Sequence, residues 1–128
     1  MIVAGIGCRR GASAPDVEAA VRAALSDANV SADALEAIAT IAAKAGEPGI
    51  QAAAQNLGVP LVIVPEQDLE AANARTATRS ERVVALTGLH SVAEAAALAA
   101  AGPLARLLGP RLAIGPATCA LAASGTAP

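Results

Sequence analysis

The sequence predicts one α/β domain, a sheet flanked by helices on both faces in three layers. Two observations carry that expectation. Short runs rich in Val, Ile and Leu alternate with stretches of helical period, beginning with Ile2–Cys8 and the segment after it. Alanine supplies 37 of 128 residues, which suits helices lying close on a sheet or on each other. That length is enough to bury a single core, and no internal repeat is present.

Ile2–Cys8 (IVAGIGC) reads as a buried strand, short, β-branched and closed by glycine, placed centrally in the sheet. Ser13-Ala-Pro-Asp16 is a helix start, S-x-x-D with proline in the first turn. The helix runs to about Asn29, with Val17, Val21, Ala24, Leu25 and Ala28 on one face and Glu18 and Arg22 paired at i,i+4. Glu36–Ala43 is ambiguous: Ile38, Thr40 and Ile41 favour strand, the alanines favour helix. Lys44–Gly49 is a turn, with Pro48 opening a helix that Gly58 stops.

Leu61–Val64, between two prolines, reads as a short buried strand, and Glu66–Asn73 as a short helix. Ala74–Arg79 is turn-like and Ser80–Leu86 a further short helix. Ser91–Ala101 is a helix with a capping box at Ser91 and Glu94 and a stop at Gly102-Pro103. Leu104–Leu108 reads as one more helical turn. Arg111–Gly115 and Thr118–Ala123 read as the last strands. The domain is expected over residues 1–123, with 124–128 a frayed tail.

Composition narrows the function. There is no Phe, Tyr or Trp, and the net charge is −2. Nucleic-acid binders stack bases on aromatic rings and spread Lys and Arg over a face, so no nucleic-acid partner is expected. A flat ligand would have to be held by its polar edges. No stretch has the length of a membrane helix, and Arg9 and Arg10 interrupt the first apolar run, so a cytoplasmic protein without a signal peptide is expected. Cys8 and Cys119 are far apart with no CxxC, which fits a reduced chain.

The loop Gly5-Ile-Gly7-Cys8-Arg9-Arg10-Gly11 has three readings. One is a dinucleotide fingerprint, weakened because the helix cap at Ser13 lies beyond the last glycine and no acidic residue closes the second strand. One is structural, with glycines turning the chain and the arginines solvated. The third, favoured here, is an anion clamp in which Arg9 and Arg10 grip carboxylates or phosphates. Lys44 is the one lysine among nine basic residues, which points to a need for a compact ammonium or to chance. Glu47 could pair with Lys44 or cap the next helix. Glu94 has a capping role that leaves other N–H groups for a ligand. His90 is the sole histidine, and no cluster has metal-ligand spacing, so no metal or cofactor is expected. The arginines beside Cys8 would favour its thiolate, but no base accompanies it. Cys119 reads as a small buried hydrophobe.

GIGCRRG after the first strand, K-x-x-E at Lys44 and Glu47, TGLHSVAEAAAL at Thr87–Leu98 and the terminal ATCALA together resemble the CobE/CbiG C-terminal family of cobalamin biosynthesis. The similarity covers nearly the whole chain, in order. It implies a compact α/β domain and a place in corrin-ring synthesis. In CbiG the domain ends a longer cobalt-precorrin-5A hydrolase that opens a ring lactone. CobE is the free-standing form, and this chain, which is expected to lack upstream domains, resembles that form. The chain departs from the family pattern at Gly46, where an acidic residue is common, and at Arg111, where lysine is common.

The resemblance implies ligand binding at Gly5, Gly7, Cys8, Arg9, Arg10 and Gly11. It extends the site to Lys44, Glu47, Ser91, Glu94, Arg111 and Thr118. The ligand expected is a precorrin or other corrin intermediate, whose acetate and propionate groups suit paired arginines and helix N-termini. Other pathway enzymes are possible partners. A catalyst using Lys44, Glu94 or Cys8 as acid or base is the alternative, and a nucleotide-binding module is a third reading. Gly7–Gly11, the Lys44–Glu47 turn and the helix start at Ser91 are expected to converge on one cleft.

Overall fold

The computed structural model describes residues 1–73, 92–102, 104–109 and 111–124. Its strands are β1 (Ile2–Cys8), β2 (Leu35–Ile41), β3 (Leu61–Val64), β4 (Arg106–Leu107), β5 (Leu112–Ile114) and β6 (Ala117–Ala123). Its helices are α1 (Ala14–Asp27), α2 (Pro48–Leu57), α3 (Glu66–Asn73) and α4 (Val92–Ala101). The expected turn at Ala74–Arg79, the helix at Ser80–Leu86, and Ser91 and His90 lie outside the described residues.

The sheet runs β3-β2-β1-β6-β4, with β5 also on β6. The first strand is therefore central, as expected. β1 pairs parallel with β2 and antiparallel with β6, while β2 pairs parallel with β3. β4 and β5 share the outer edge of β6, opposite Ala122–Ala123 and Ala117–Cys119 respectively. The carboxyl ends of β1 and β2 thus open on the same side as the turn between β5 and β6.

Period-two alternation sends each strand's side chains to two cores. On one face Ala4, Ile6, Ile38, Cys119 and Leu121 meet Val17, Val21 and Leu25 of α1 and Ile50 and Ala53 of α2. On the other, Val3, Ala37, Ala39, Ile41 and Ala122 meet Leu69 of α3 and the alanines and Leu98 of α4. Helices on both faces complete the three expected layers.

Local signals hold where they are strongest. Ser13 caps α1 in a full capping box, its Oγ accepting the Asp16 N–H and its own N–H donating to Asp16, both at 3.2 Å. Asn29, at φ 56, leaves α1 in the left-handed conformation. Pro48 opens α2 and left-handed Gly58 closes it. Of the ambiguous stretch 36–43, residues 36–41 lie in strand β2, flanked on both sides by strands so that the β-branched residues prevail over the alanines, while Ala42 and Ala43 enter a 3₁₀ turn.

Two expectations are corrected. Leu61–Val64 is a strand but not a buried one: β3 is the outermost described strand on its side, and Val62 and Ile63 are 37% and 40% exposed. An apolar run reads alike whether or not anything covers it. Leu104–Leu108 is not helical. Leu104 is 74% exposed, and Arg106–Leu107 pair with β6, whose outer edge offers backbone partners. Ser124, expected to start the frayed tail, exchanges bonds with Met1: the terminal ammonium donates to its Oγ at 2.8 Å, and its N–H donates to the Met1 carbonyl at 2.9 Å. Residues 125–128 lie outside the described residues.

Candidate functional site

The loop after β1 continues the sheet for one residue and then turns. The Arg9 N–H donates to the Pro116 carbonyl at 2.9 Å, and the Ala12 N–H closes a four-residue turn on the Arg9 carbonyl at 3.2 Å. Gly11 holds φ +80 inside that turn, a conformation glycine adopts without strain. Arg9 is therefore anchored at the strand end, while Arg10 sits at the turn's apex.

The second loop leaves β2 through a single 3₁₀ turn at Ala42–Lys44 and enters α2. Glu47 occupies the cap position of α2 but makes no side-chain cap bond. Its Oε1 instead accepts the Gly11 N–H at 2.9 Å. This corrects both sequence expectations for Glu47, pairing with Lys44 or capping the helix. Gly49 lets α2 start hard against the first loop: an added Cβ would overlap the Ala12 carbonyl oxygen and sit 3.0 Å from the Ser13 carbonyl carbon.

The third component is the start of α4 with the entry to β5. Glu94, in the first turn of α4, is 0% exposed, and its Oε2 accepts the Arg111 N–H at 3.0 Å. That bond fixes the backbone from which the Arg111 side chain projects. α4 reaches β1 this closely because of Gly5, where an added Cβ would overlap the Ala93 carbonyl oxygen and stand 2.6 Å from the Ala97 nitrogen. Thr118 Oγ1 donates to the Gly7 carbonyl at 3.0 Å, and buried Thr40 Oγ1 donates to the Ile6 carbonyl at 2.9 Å. These hydroxyls pin the last carbonyls of β1 from both neighbouring strands.

Together these parts enclose a cleft of about 850 Å³. Of the expected site residues, Gly7, Cys8, Arg9, Lys44, Arg111 and Thr118 line it. Among the described residues, Ile41, Ala43, Ala113, Gly115, Pro116, Val92 and Ala93 also line it. Gly5 lies beneath α4, Gly11 and Glu47 hold each other beside the cleft, Glu94 is buried behind it, and Arg10 is exposed away from its lining. Of the arginine pair, Arg9 therefore lines the cleft and Arg10 does not. Ser91 lies outside the described residues, though its successors Val92 and Ala93 face the cleft.

Among the described residues, no carboxylate neutralises the cleft's cations from within. Among the described residues the ion pair is Arg22 with Glu18, 3.7 Å apart on α1, and Arg9, Lys44 and Arg111 have no carboxylate within salt-bridge distance. The thiol of Cys8 corrects another expectation. Burial pushes its pKa up; Lys44 pulls it down less strongly, and Glu47 adds to the rise. Cys8 is therefore held neutral, where its arginine neighbours had suggested a thiolate. Both cysteines are free. Among the described residues no group of His, Cys, Asp and Glu is placed to hold a metal ion, and no helix is long and apolar enough to cross a membrane.

Thr40 was read only as a strand former and Gly49 only as part of a turn, and neither was expected to shape the site. The signal for Thr40 was a hydroxyl inside an otherwise apolar strand, which must find a partner when buried. Gly49 had no signal beyond its place after Pro48.

The family profile described as cobalamin synthesis G C-terminus matches residues 2–122. The chain belongs to the cobalamin synthesis G C-terminus family. Within it, Protein CobE of Sinorhizobium sp is 43% identical over 125 residues, 98% of this chain and 81% of that protein. The cobalt-precorrin-5A hydrolase of Priestia megaterium is 29% identical over 102 residues, 80% of this chain but 27% of that protein. The crystal structure of a CobE, a protein from the cobalamin (vitamin B12) biosynthetic pathway, superposes with a TM-score of 0.88 at 38% identity, covering 95% of this chain and 89% of the other. The α/β fold expected from the sequence is the fold of that family, and the chain is a cobalamin biosynthesis protein.

Proposed function

We propose that the domain holds a carboxylate-rich corrin precursor in this cleft and acts as its carrier or as an accessory to the pathway's enzymes. The observation that supports it is the presence of Arg9, Lys44 and Arg111, unpaired among the described residues, around one cleft of a chain whose net charge is −2. Guanidinium forks from Arg9 and Arg111 suit carboxylates bidentately, and Lys44 adds a compact charge. Ile41, Val92, Ala93 and Ala113 offer apolar contact to the ring's edge, which compensates for the absence of aromatic stacking. Binding is favoured over turnover because two of the three candidate acid–base groups are occupied or silent: Glu94 is buried on the Arg111 N–H, and Cys8 is neutral.

The test is a spectral titration of hydrogenobyrinate against wild type, Arg9→Ala with Arg111→Ala, and Arg10→Ala. Each lost charge-assisted bond is worth ~1.5–3 kcal/mol, so the double variant should lose at least two orders of magnitude in affinity. Arg10→Ala should change it only a few-fold, and added salt should weaken the wild type. Equal affinity in wild type and double variant rejects the proposal. Mass analysis of a lactone-bearing precorrin recovered after incubation with the protein separates carrier from catalyst, since opening the lactone adds water across its ester bond and changes the mass.

A further inference from the structure

Glu47 is in an odd place for a site that attracts anions. It stands three residues beyond Lys44, yet its carboxylate is bonded across 36 residues of chain to the Gly11 N–H at 2.9 Å. It leaves the cap of α2 unfilled to do so. It does not line the cleft, and among the described residues it pairs with no cation. At the other end of the bond the apex of the Arg9–Ala12 turn is barely packed. Arg10 and Gly11 are exposed, and among the described residues nothing lies within 4 Å of where a Gly11 Cβ would stand. The flanks of the turn are held, Arg9 by the Pro116 carbonyl and Ala12 by burial against the start of α2, and the Glu47 bond adds a tie at the apex between them, where the described residues supply little packing.

We infer that Glu47 is a positioning residue for the anion cleft: its carboxylate clips the turn bearing Arg9 to the turn bearing Lys44, so that both cations meet one ligand. The inference rests on the cleft reading above. An unfavourable charge near a carboxylated ligand is tolerated because the clip removes the need to order two loops at the moment of binding. The same economy appears at Arg111, whose backbone is held by Glu94. In both places a carboxylate takes a backbone N–H and leaves the neighbouring cation available.

Charge and clip predict opposite results for the alanine variant, with the glutamine variant as the control. Glu47→Gln keeps an acceptor oxygen at the same reach and removes the charge, whereas Glu47→Ala removes both. If Glu47 acts only as a repelling charge, both variants bind hydrogenobyrinate more tightly than wild type. If it is the clip, Glu47→Ala loses roughly tenfold in affinity, the weight of one such hydrogen bond, and Glu47→Gln stays at or above wild type. Amide hydrogen exchange at Gly11, measured without ligand, should quicken in the alanine variant and not in the glutamine variant. Tighter binding by Glu47→Ala, or an equal loss in both variants, overturns the inference. If the wild type does not bind hydrogenobyrinate, the corrin reading fails, and the Gly11 exchange rates judge the clip alone. Equal rates in all three proteins would overturn it.

Discussion

Gly5→Ala adds a single methyl group at the most crowded point between sheet and helix. In the structure that methyl would overlap the Ala93 carbonyl oxygen and stand 2.6 Å from the Ala97 nitrogen and 2.9 Å from the Ala97 Cβ. Ordinary contacts begin near 3.5 Å, so α4 would have to withdraw by roughly 1 Å along much of its length. All three obstructing atoms belong to backbone or to a Cβ, so no flexible side chain can absorb the strain. α4 buries Ala93 through Leu98 together with Ala101, and each of these contacts would loosen. Overpacking of this kind costs about 1–3 kcal/mol, and rigid neighbours place Gly5→Ala toward the upper end. Equilibrium urea unfolding of wild type, Gly5→Ala and Gly46→Ala measures it. Gly46 has nothing within 4 Å of its would-be Cβ and should shift by less than ~0.5 kcal/mol. Because α4 also carries Val92 and Ala93 to the cleft and Glu94 to Arg111, Gly5→Ala should weaken hydrogenobyrinate binding as well. A Gly5→Ala protein within ~0.5 kcal/mol of wild type would refute the close-approach argument.

Two further perturbations address the interior. Thr40→Val removes the donor to the Ile6 carbonyl inside the sheet and should cost about 1–3 kcal/mol in the same unfolding assay, and an unchanged midpoint would mean that the bond contributes nothing. Cys119 makes stability fall in alkali, because burial pushes its thiol from 9.0 up to about 12 in the folded state. Between those values the folded chain keeps a proton that the unfolded chain releases, so stability is full below pH 9 and declines as pH rises, by on the order of 4 kcal/mol at most. The chain has no tyrosine and one lysine, so few other groups titrate there, although Cys8 adds in the same direction. Urea midpoints from pH 8 to pH 11 should drop less steeply in Cys119→Ala, and parallel slopes would reject the assignment.

Much of this protein is local in origin and therefore legible in its sequence. The capping box at Ser13, the Pro48 start and Gly58 stop of α2, and the Ser91–Ala101 pattern whose described part is α4 each depend on residues within a few positions of one another. The same holds for the cationic loop after β1 and for the lone Lys44, and the motifs that contain them were enough to suggest the family. What the tertiary structure alone decided lies between residues distant in the chain. Whether 36–41 became strand depended on β1 and β3 flanking it, and whether Val62 and Ile63 were covered depended on what packs beyond β3. The partners of the carboxylates followed the same rule: Glu47 passed over Lys44 for Gly11, 36 residues away, and Glu94 took the Arg111 N–H, 17 residues away. Charge adjacency in sequence also misled at Cys8, where burial outweighs the nearby cations, and at Arg9 and Arg10, of which Arg9 lines the cleft and Arg10 does not. Helix caps and turns are short-range bonds that a few residues specify. Burial, desolvation and the direction of a side chain are set by everything that surrounds it, and only the folded chain brings those surroundings together.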